Sequence, residues 1–116
     1  MKRTVVLGAS TNPDRYAYIA SVKLMKFGHE VVPVGLKEGE INGVKILTGL
    51  PLIKDVDTIT LYVGPNHQPA FFDYIVSLKP KRVIFNPGTE NPELYAILKK
   101  NNIEYTEACT LVMLSV

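Results

Sequence analysis

Apolar and β-branched residues in this chain come in short runs, each cut off by glycine or proline, and the runs alternate with segments of helical spacing. Thr4-Val5-Val6-Leu7, closed by Gly8, predicts a buried strand. Residues 16–27 predict a helix with Ala17, Ala20, Leu24 and Phe27 on one face, Lys23 and Lys26 elsewhere, and Gly28 as its stop. Ile19, Val22 and Met25 widen its apolar arc beyond one packing face. Glu30-Val31-Val32-Pro33-Val34 predicts a second strand, ended by Gly35. Residues 36–54 break the alternation with Gly39, Gly43, Gly49 and Pro51. An Asn42-Gly43 turn between Ile41 and Val44-Lys45-Ile46 predicts a small hairpin or loop, with a helical turn over 51–54 as the alternative.

Asp57-Thr58-Ile59-Thr60-Leu61-Tyr62-Val63 predicts the third strand, ended by Gly64-Pro65. Phe71, Tyr74, Ile75 and Leu78 fall at i, i+3, i+4 and i+7 of a helix, with Asn66 as candidate cap and Pro69 confined to the first turn. Lys81-Arg82-Val83-Ile84-Phe85 predicts the fourth strand. Asn91-Pro92-Glu93 is a helix start made of a cap, a proline at the first position and an acid at the positive dipole end. Leu94, Ile97 and Leu98 form that helix's apolar face; Ile103-Glu104-Tyr105-Thr106 predicts a last strand, and Cys109 to Val116 a short apolar tail.

Strands alternating with helices predict an α/β fold, a five-stranded parallel sheet with helices on both faces. The expected strand order is 3-2-1-4-5, half of a dinucleotide-type fold, with the flavodoxin-like order as its rival. That order puts the second strand inside the sheet, where Pro33 lacks a ladder donor and implies splaying at the carboxyl end. Length changes the picture little: 116 residues form one domain, 1–116, with a core that needs no staples. A net charge of +2 points to neither nucleic acid nor a membrane surface. One cysteine and two histidines leave no disulfide and no metal cluster, and no run suits a membrane span or a signal peptide, so a cytoplasmic protein is expected.

Ligands of such sheets sit at the carboxyl ends of the strands. The glycines and prolines gather there: Gly8-Ala9-Ser10-Thr11-Asn12-Pro13, Gly35-Leu36-Lys37, Gly64-Pro65-Asn66-His67 and Asn86-Pro87-Gly88-Thr89. Such an edge lets main-chain amides approach phosphate at a helix start, or it simply supplies turn residues. The first loop lacks the three-glycine dinucleotide fingerprint, since Ser10 and Pro13 stand at its second and third positions. Ser10 and Thr11 bond phosphate, with Arg15 adding charge, or they cap the helix. An NAD site asks for an acid after the second strand, where this chain has Lys37. A cation there suits a phosphorylated ribose or a pyrophosphate, or it is a solvated loop lysine.

With these loops in place the chain resembles the small CoA-binding domain family, which has the Rossmann-like fold of the N-terminal domain of the succinyl-CoA synthetase α subunit. The resemblance rests on Val6-Leu7-Gly8-Ala9-Ser10 with Asn12-Pro13, on Gly28-His29-Glu30-Val31-Val32-Pro33-Val34, and on Ile41-Asn42-Gly43-Val44, Leu50-Pro51 and Asp57-Thr58-Ile59. It implies that loop 8–15 holds CoA phosphates and pantetheine, with Lys37 near the nucleotide end. Val63, Gly64 and Pro65 together with Asn86, Pro87 and Gly88 would line the rest. Two departures stand out: Gly35-Leu36 where many members have Asn-Pro, and Asn86-Pro87-Gly88 where many carry a Gln-Leu-Gly-like run.

No catalytic set emerges. His67 is placed at a helix start on the ligand side, as a phosphate ligand, a base or a plain surface histidine. His29 lies at the far end of the sheet. Cys109 faces a thiol or thioester, or fills a small buried space. Glu90 and Glu107 have no evident partner in sequence, and Tyr62 and Tyr105 read as packing residues. The leading expectation is a stand-alone module that binds CoA or acyl-CoA without a complete active site. One alternative is a small NADP-binding oxidoreductase that needs a partner enzyme or a homodimer. The other is an interaction protein with a vestigial crevice, dimerising through the first helix.

Overall fold

The computed structural model describes residues 3–114. Met1, Lys2 and the last two positions of the apolar tail lie outside them. Along the chain the elements are β1 (Arg3–Leu7), α1 (Tyr16–Lys26), β2 (Glu30–Val34), β3 (Gly39–Ile41), β4 (Val44–Ile46) and β5 (Thr58–Leu61). A 3-10 helix (Pro65–Phe71) then leads into α2 (Phe72–Ser77), β6 (Arg82–Phe85), α3 (Pro92–Lys100), β7 (Glu104–Glu107) and α4 (Thr110–Leu114). Five strands form one parallel sheet in the order β2-β1-β5-β6-β7, and β3-β4 is a separate antiparallel pair.

The layers follow from side-chain alternation along the strands. Val5, Leu7, Ile59, Leu61, Val83 and Phe85 point to one face, where they meet Tyr74, Ile75 and Leu78 of the α2 region and Leu94 and Leu98 of α3. Leu94 and Leu98 have no exposed surface, and burial of each contributes about 2 kcal/mol. The opposite face is thinner: Val6 and Val31 pack against Ala17 and Leu24 of α1, and α4 lies beside that helix. The parallel sheet between helical layers is the three-layer arrangement expected.

The strand order is not the expected 3-2-1-4-5. Counted along the chain, the sheet runs 2-1-3-4-5, because β5 pairs with the free side of β1 and leaves β2 at the edge. Two facts close the outer side of β2 to a third strand. Leu47, just past the hairpin, occupies that side, donating to Pro33 O at 2.9 Å and accepting from Gly35 N at 2.9 Å. Pro33 has no N–H to offer there. Its nitrogen points outward while Val34 O faces β1 and accepts from Gly8 N, so the proline costs no ladder bond. Splaying is therefore not needed to explain it. Thr58–Leu61, buried at all four positions, takes a central place that suits it.

Other boundaries move for local reasons. Phe27 was expected on the buried stripe of α1 but is 53% exposed. The helix stops at Lys26, where Gly28 N donates to Met25 O and His29 N to Leu24 O, and Ser21 completes the stripe instead. Gly64, not Asn66, occupies the N-cap of the 3-10 helix, with Pro65 at its first position and Pro69 inside it. Asn91 caps α3 as expected, its Oδ1 accepting from Glu93 N at 3.1 Å. The hairpin turn has Asn42 and Gly43 at φ of 49° and 81°, the pair of positive values that matches strand twist. Residues 51–54 form no helical turn.

Candidate functional site

In the observed order the connections on either side of β1 diverge between β1 and β5, and a crevice opens there at the carboxyl ends. It is a cavity of about 530 Å³ walled by the loop after β1, the start of α1, the turn after β2, and the loops after β5 and β6.

The first loop is held by its own side chains. Ser10 Oγ accepts from Asn12 N at 3.1 Å, and Asn12 Oδ1 accepts from Asp14 N at 2.9 Å. Neither Ser10 nor Thr11 caps α1. The N-cap is Arg15, without a side-chain cap, and Tyr16 and Ala17 of the first turn line the crevice, at the positive end of the helix dipole. Below the loop the fit is close. Gly8 has φ of +97°, and a Cβ there would lie 3.0 Å from the Tyr62 carbonyl carbon. A Cβ on Gly35 would lie 2.5 Å from Ala9 O, and one on Gly39 would collide with the Thr11 methyl. The glycine after the second strand thus lets β2 and the hairpin close against the first loop.

The wall after β5 and β6 is pinned by amide side chains with every polar group satisfied. Gln68, with no exposed surface, donates to Val63 O at 2.9 Å and to Thr89 O at 2.7 Å, and its Oε1 accepts from Asn91 Nδ2 at 2.9 Å. Asn86 donates to Thr60 Oγ1 at 2.7 Å and to Leu61 O at 2.9 Å, while its Oδ1 accepts from Thr110 N at 2.9 Å. The Thr60 and Thr110 hydroxyls lie 2.7 Å apart. Tyr62 joins this group from the crevice side. Burial pushes its phenol up from the ordinary value, and hydrogen bonding with Thr110 and Thr60 opposes that shift, so the hydroxyl stays protonated.

Of the residues singled out by sequence, Gly8, Ala9, Ser10, Thr11, Arg15, Lys37, Gly64, Pro87 and Gly88 line the crevice together. Asn12, Pro13, Gly35, Val63, Pro65, His67 and Asn86 do not. Asn12 and Gly35 shape its walls, Val63 O is bound by Gln68, and Asn86 is buried behind the wall. Pro13 faces the outer side of α1, and Pro65 and His67 are exposed on the 3-10 helix. Glu90 accepts from Gly88 N at 2.8 Å, and Glu107 accepts from Tyr95 Oη at 2.5 Å, so both have the partners that sequence did not reveal. Tyr105 stacks on Tyr95 with centroids 4.3 Å apart.

Sequence reading missed Tyr16, Ala17, Leu36, Tyr62 and Thr89 as lining residues, and Gln68 altogether. For Tyr62 a signal existed: it continues the alternation of Thr58 and Thr60, opposite to Ile59 and Leu61. The crevice has two cations, Arg15 and Lys37, and no carboxylate in its lining. Among the described residues no group of three or more His, Cys, Asp or Glu is placed to hold a metal ion. No described helix is long and apolar enough to cross a membrane.

The chain is similar along nearly its whole length to proteins of known structure. A crystal structure of an uncharacterized protein is 56% identical, with a TM-score of 0.97 over 99% of this chain and 95% of the other. A conserved hypothetical protein from Pyrococcus furiosus is 33% identical, with a TM-score of 0.85 over 97% of this chain and 99% of that one. The Bacillus subtilis (strain 168) protein YneT is 27% identical over 100 residues, which span 85% of this chain and 74% of YneT. The family model described as a CoA binding domain matches residues 2–115, and this Rossmann-like chain belongs to that family.

Proposed function

We propose that the crevice binds CoA or an acyl-CoA and that the chain acts as a free-standing binding module, a carrier or sensor of the cofactor without a complete catalytic site of its own. The observation that carries this reading is the lining itself: small loops, an uncapped helix start, two cations and no acid. Phosphate groups fit such a lining, because backbone N–H groups and the helix dipole favour negative charge. Arg15 and Lys37 would hold the phosphates with the Tyr16 and Ala17 amides. Tyr16, Leu36 and Tyr62 offer apolar surface for the base and the pantetheine arm, and Gly64, Pro87 and Gly88 leave it room. The free-standing role is supported by the Pyrococcus furiosus relative, nearly all of which this chain covers. NADP is the competing ligand, favoured only by Lys37 standing where an NAD site has an acid.

Calorimetric titration with CoA, acetyl-CoA, NAD and NADP tests the reading. CoA or acetyl-CoA should saturate the protein, and Lys37→Glu should weaken that binding about tenfold or more, the loss of roughly one charge-assisted contact. Binding of NADP without CoA would replace this reading with the oxidoreductase one. Binding of none of the four would leave an interaction protein.

A further inference from the structure

At the opposite end of the sheet a second cavity, of about 780 Å³, opens between the segment 52–57 and the C-terminal end of α2. That volume is within the range of small-molecule sites. Its floor is apolar, for Val56 and Leu78 are 4% and 5% exposed and Ile53 lies half-buried beside them. Leu52, 77% exposed, carries the apolar surface out to the rim. Four cations surround this floor, Arg3, Lys54, Lys79 and Lys81, against two acids, Asp55 and Asp57.

One of the acids is already engaged. Asp57 Oδ1 lies 3.9 Å from Lys81 Nζ, and its Oδ2 accepts from Thr58 Oγ1 at 2.7 Å. Arg3 is paired with Glu30 at 2.6 Å, and among the described residues Asp55 has no ion-pair partner. Among the described residues neither Lys54 nor Lys79 has an ion-pair partner. Lys79 also stands at φ of 49°, just past the end of α2, where glycine would sit with less strain. The chain keeps an ammonium group there in spite of its backbone.

We propose that this cavity binds a small amphipathic anion, its apolar chain on Leu52, Ile53, Val56 and Leu78 and its carboxylate or phosphate head on Lys54 and Lys79. An apolar floor beneath cations that outnumber the acids leaves both halves of such a molecule matched, whereas a neutral lipid or a bare anion matches only one.

Titration of the whole chain with octanoate, octanol and inorganic phosphate, each as a separate probe, tests this. Octanoate should bind saturably, with CoA present or absent, and more tightly than either octanol or phosphate. Lys79→Gly should weaken octanoate about tenfold while leaving the melting temperature no lower, since glycine relieves the positive φ. Lys54→Glu and Leu52→Asp, both at exposed positions, should weaken it as well and leave CoA affinity unchanged. The proposal is overturned by absence of saturable octanoate binding, by equal affinity for octanol or phosphate, by competition with CoA, or by full octanoate affinity in Lys79→Gly.

Discussion

Replacing Asn86 by alanine should lower the stability of this protein by about 3 kcal/mol, or roughly 12 °C in melting temperature for a domain of this size. The side chain is 2% exposed, and its amide joins β5, β6 and α4 through three hydrogen bonds. Truncation leaves Leu61 O and Thr110 N buried without that partner, and each such group costs about 1–3 kcal/mol. Thr60 keeps the Thr110 hydroxyl at 2.7 Å, so the loss falls short of the full network. Asn86→Asp preserves the shape but replaces the two donated bonds with an acceptor facing Leu61 O, and it should destabilise at least as much. Urea unfolding of both variants decides the matter. A loss below about 1 kcal/mol in Asn86→Ala would mean that packing, not the amide, holds this corner.

The second large effect belongs to Gly35→Ala. Its methyl would lie 2.5 Å from Ala9 O, where Gly8 N and Ala9 N, both bound to Val34 O at 2.9 and 3.0 Å, draw the loop backbone against the end of β2. The end of β2 and the loop after β1 must part, which costs about 3 kcal/mol by analogy with overpacked cores. Since Ala9, Ser10 and Thr11 line the crevice, CoA affinity should fall at least about tenfold in the fraction that remains folded, about 1.4 kcal/mol. Gly64→Ala is the matched control. It lies on the same crevice with nothing within 4 Å of the added carbon, so its stability should stay within about 0.5 kcal/mol of the parent. Equal stability for the two alanine variants would remove the close approach as the reason for glycine at 35.

These two positions also show what the sequence makes legible. Gly35 announces itself, because a glycine after an apolar run marks both the end of a strand and a place where backbones meet. The five parallel strands, α1 and α3 are readable in the same way, from apolar runs, turn residues and the Asn91-Pro92 start. Asn86 was read as a loop residue facing a ligand, since an asparagine before Pro-Gly carries no mark of burial. Gln68 was not read at all. Whether an amide is buried depends on which distant carbonyls it meets, here those of Val63 and Thr89, and no local pattern encodes that. Strand order is hidden for the same reason. It turned on Leu47 covering the side of β2 where Pro33 has no donor, a pairing across an irregular segment. The crevice survives this change of order because it is built from strand ends, which the glycines and prolines mark in either topology.

The interior place of β1, next to the edge strand, bears on how amide protons would exchange with solvent. Its residues pair on one side with Glu30–Val34 and on the other with Thr58–Leu61, partners far along the chain and joined to it by crossovers rather than tight turns. Tyr62 N donates to Leu7 O and Gly8 N donates to Val34 O, so by alternation the Val5 amide faces the inner neighbour β5 and the Val6 amide the outer neighbour β2. The Val5 amide should exchange only through global opening and report the full free energy of unfolding, whereas the Val6 amide should exchange sooner, when β2 alone opens. The hairpin of β3 and β4 and the outer strand β7, by contrast, are free to open on their own, and their amides should exchange orders of magnitude sooner.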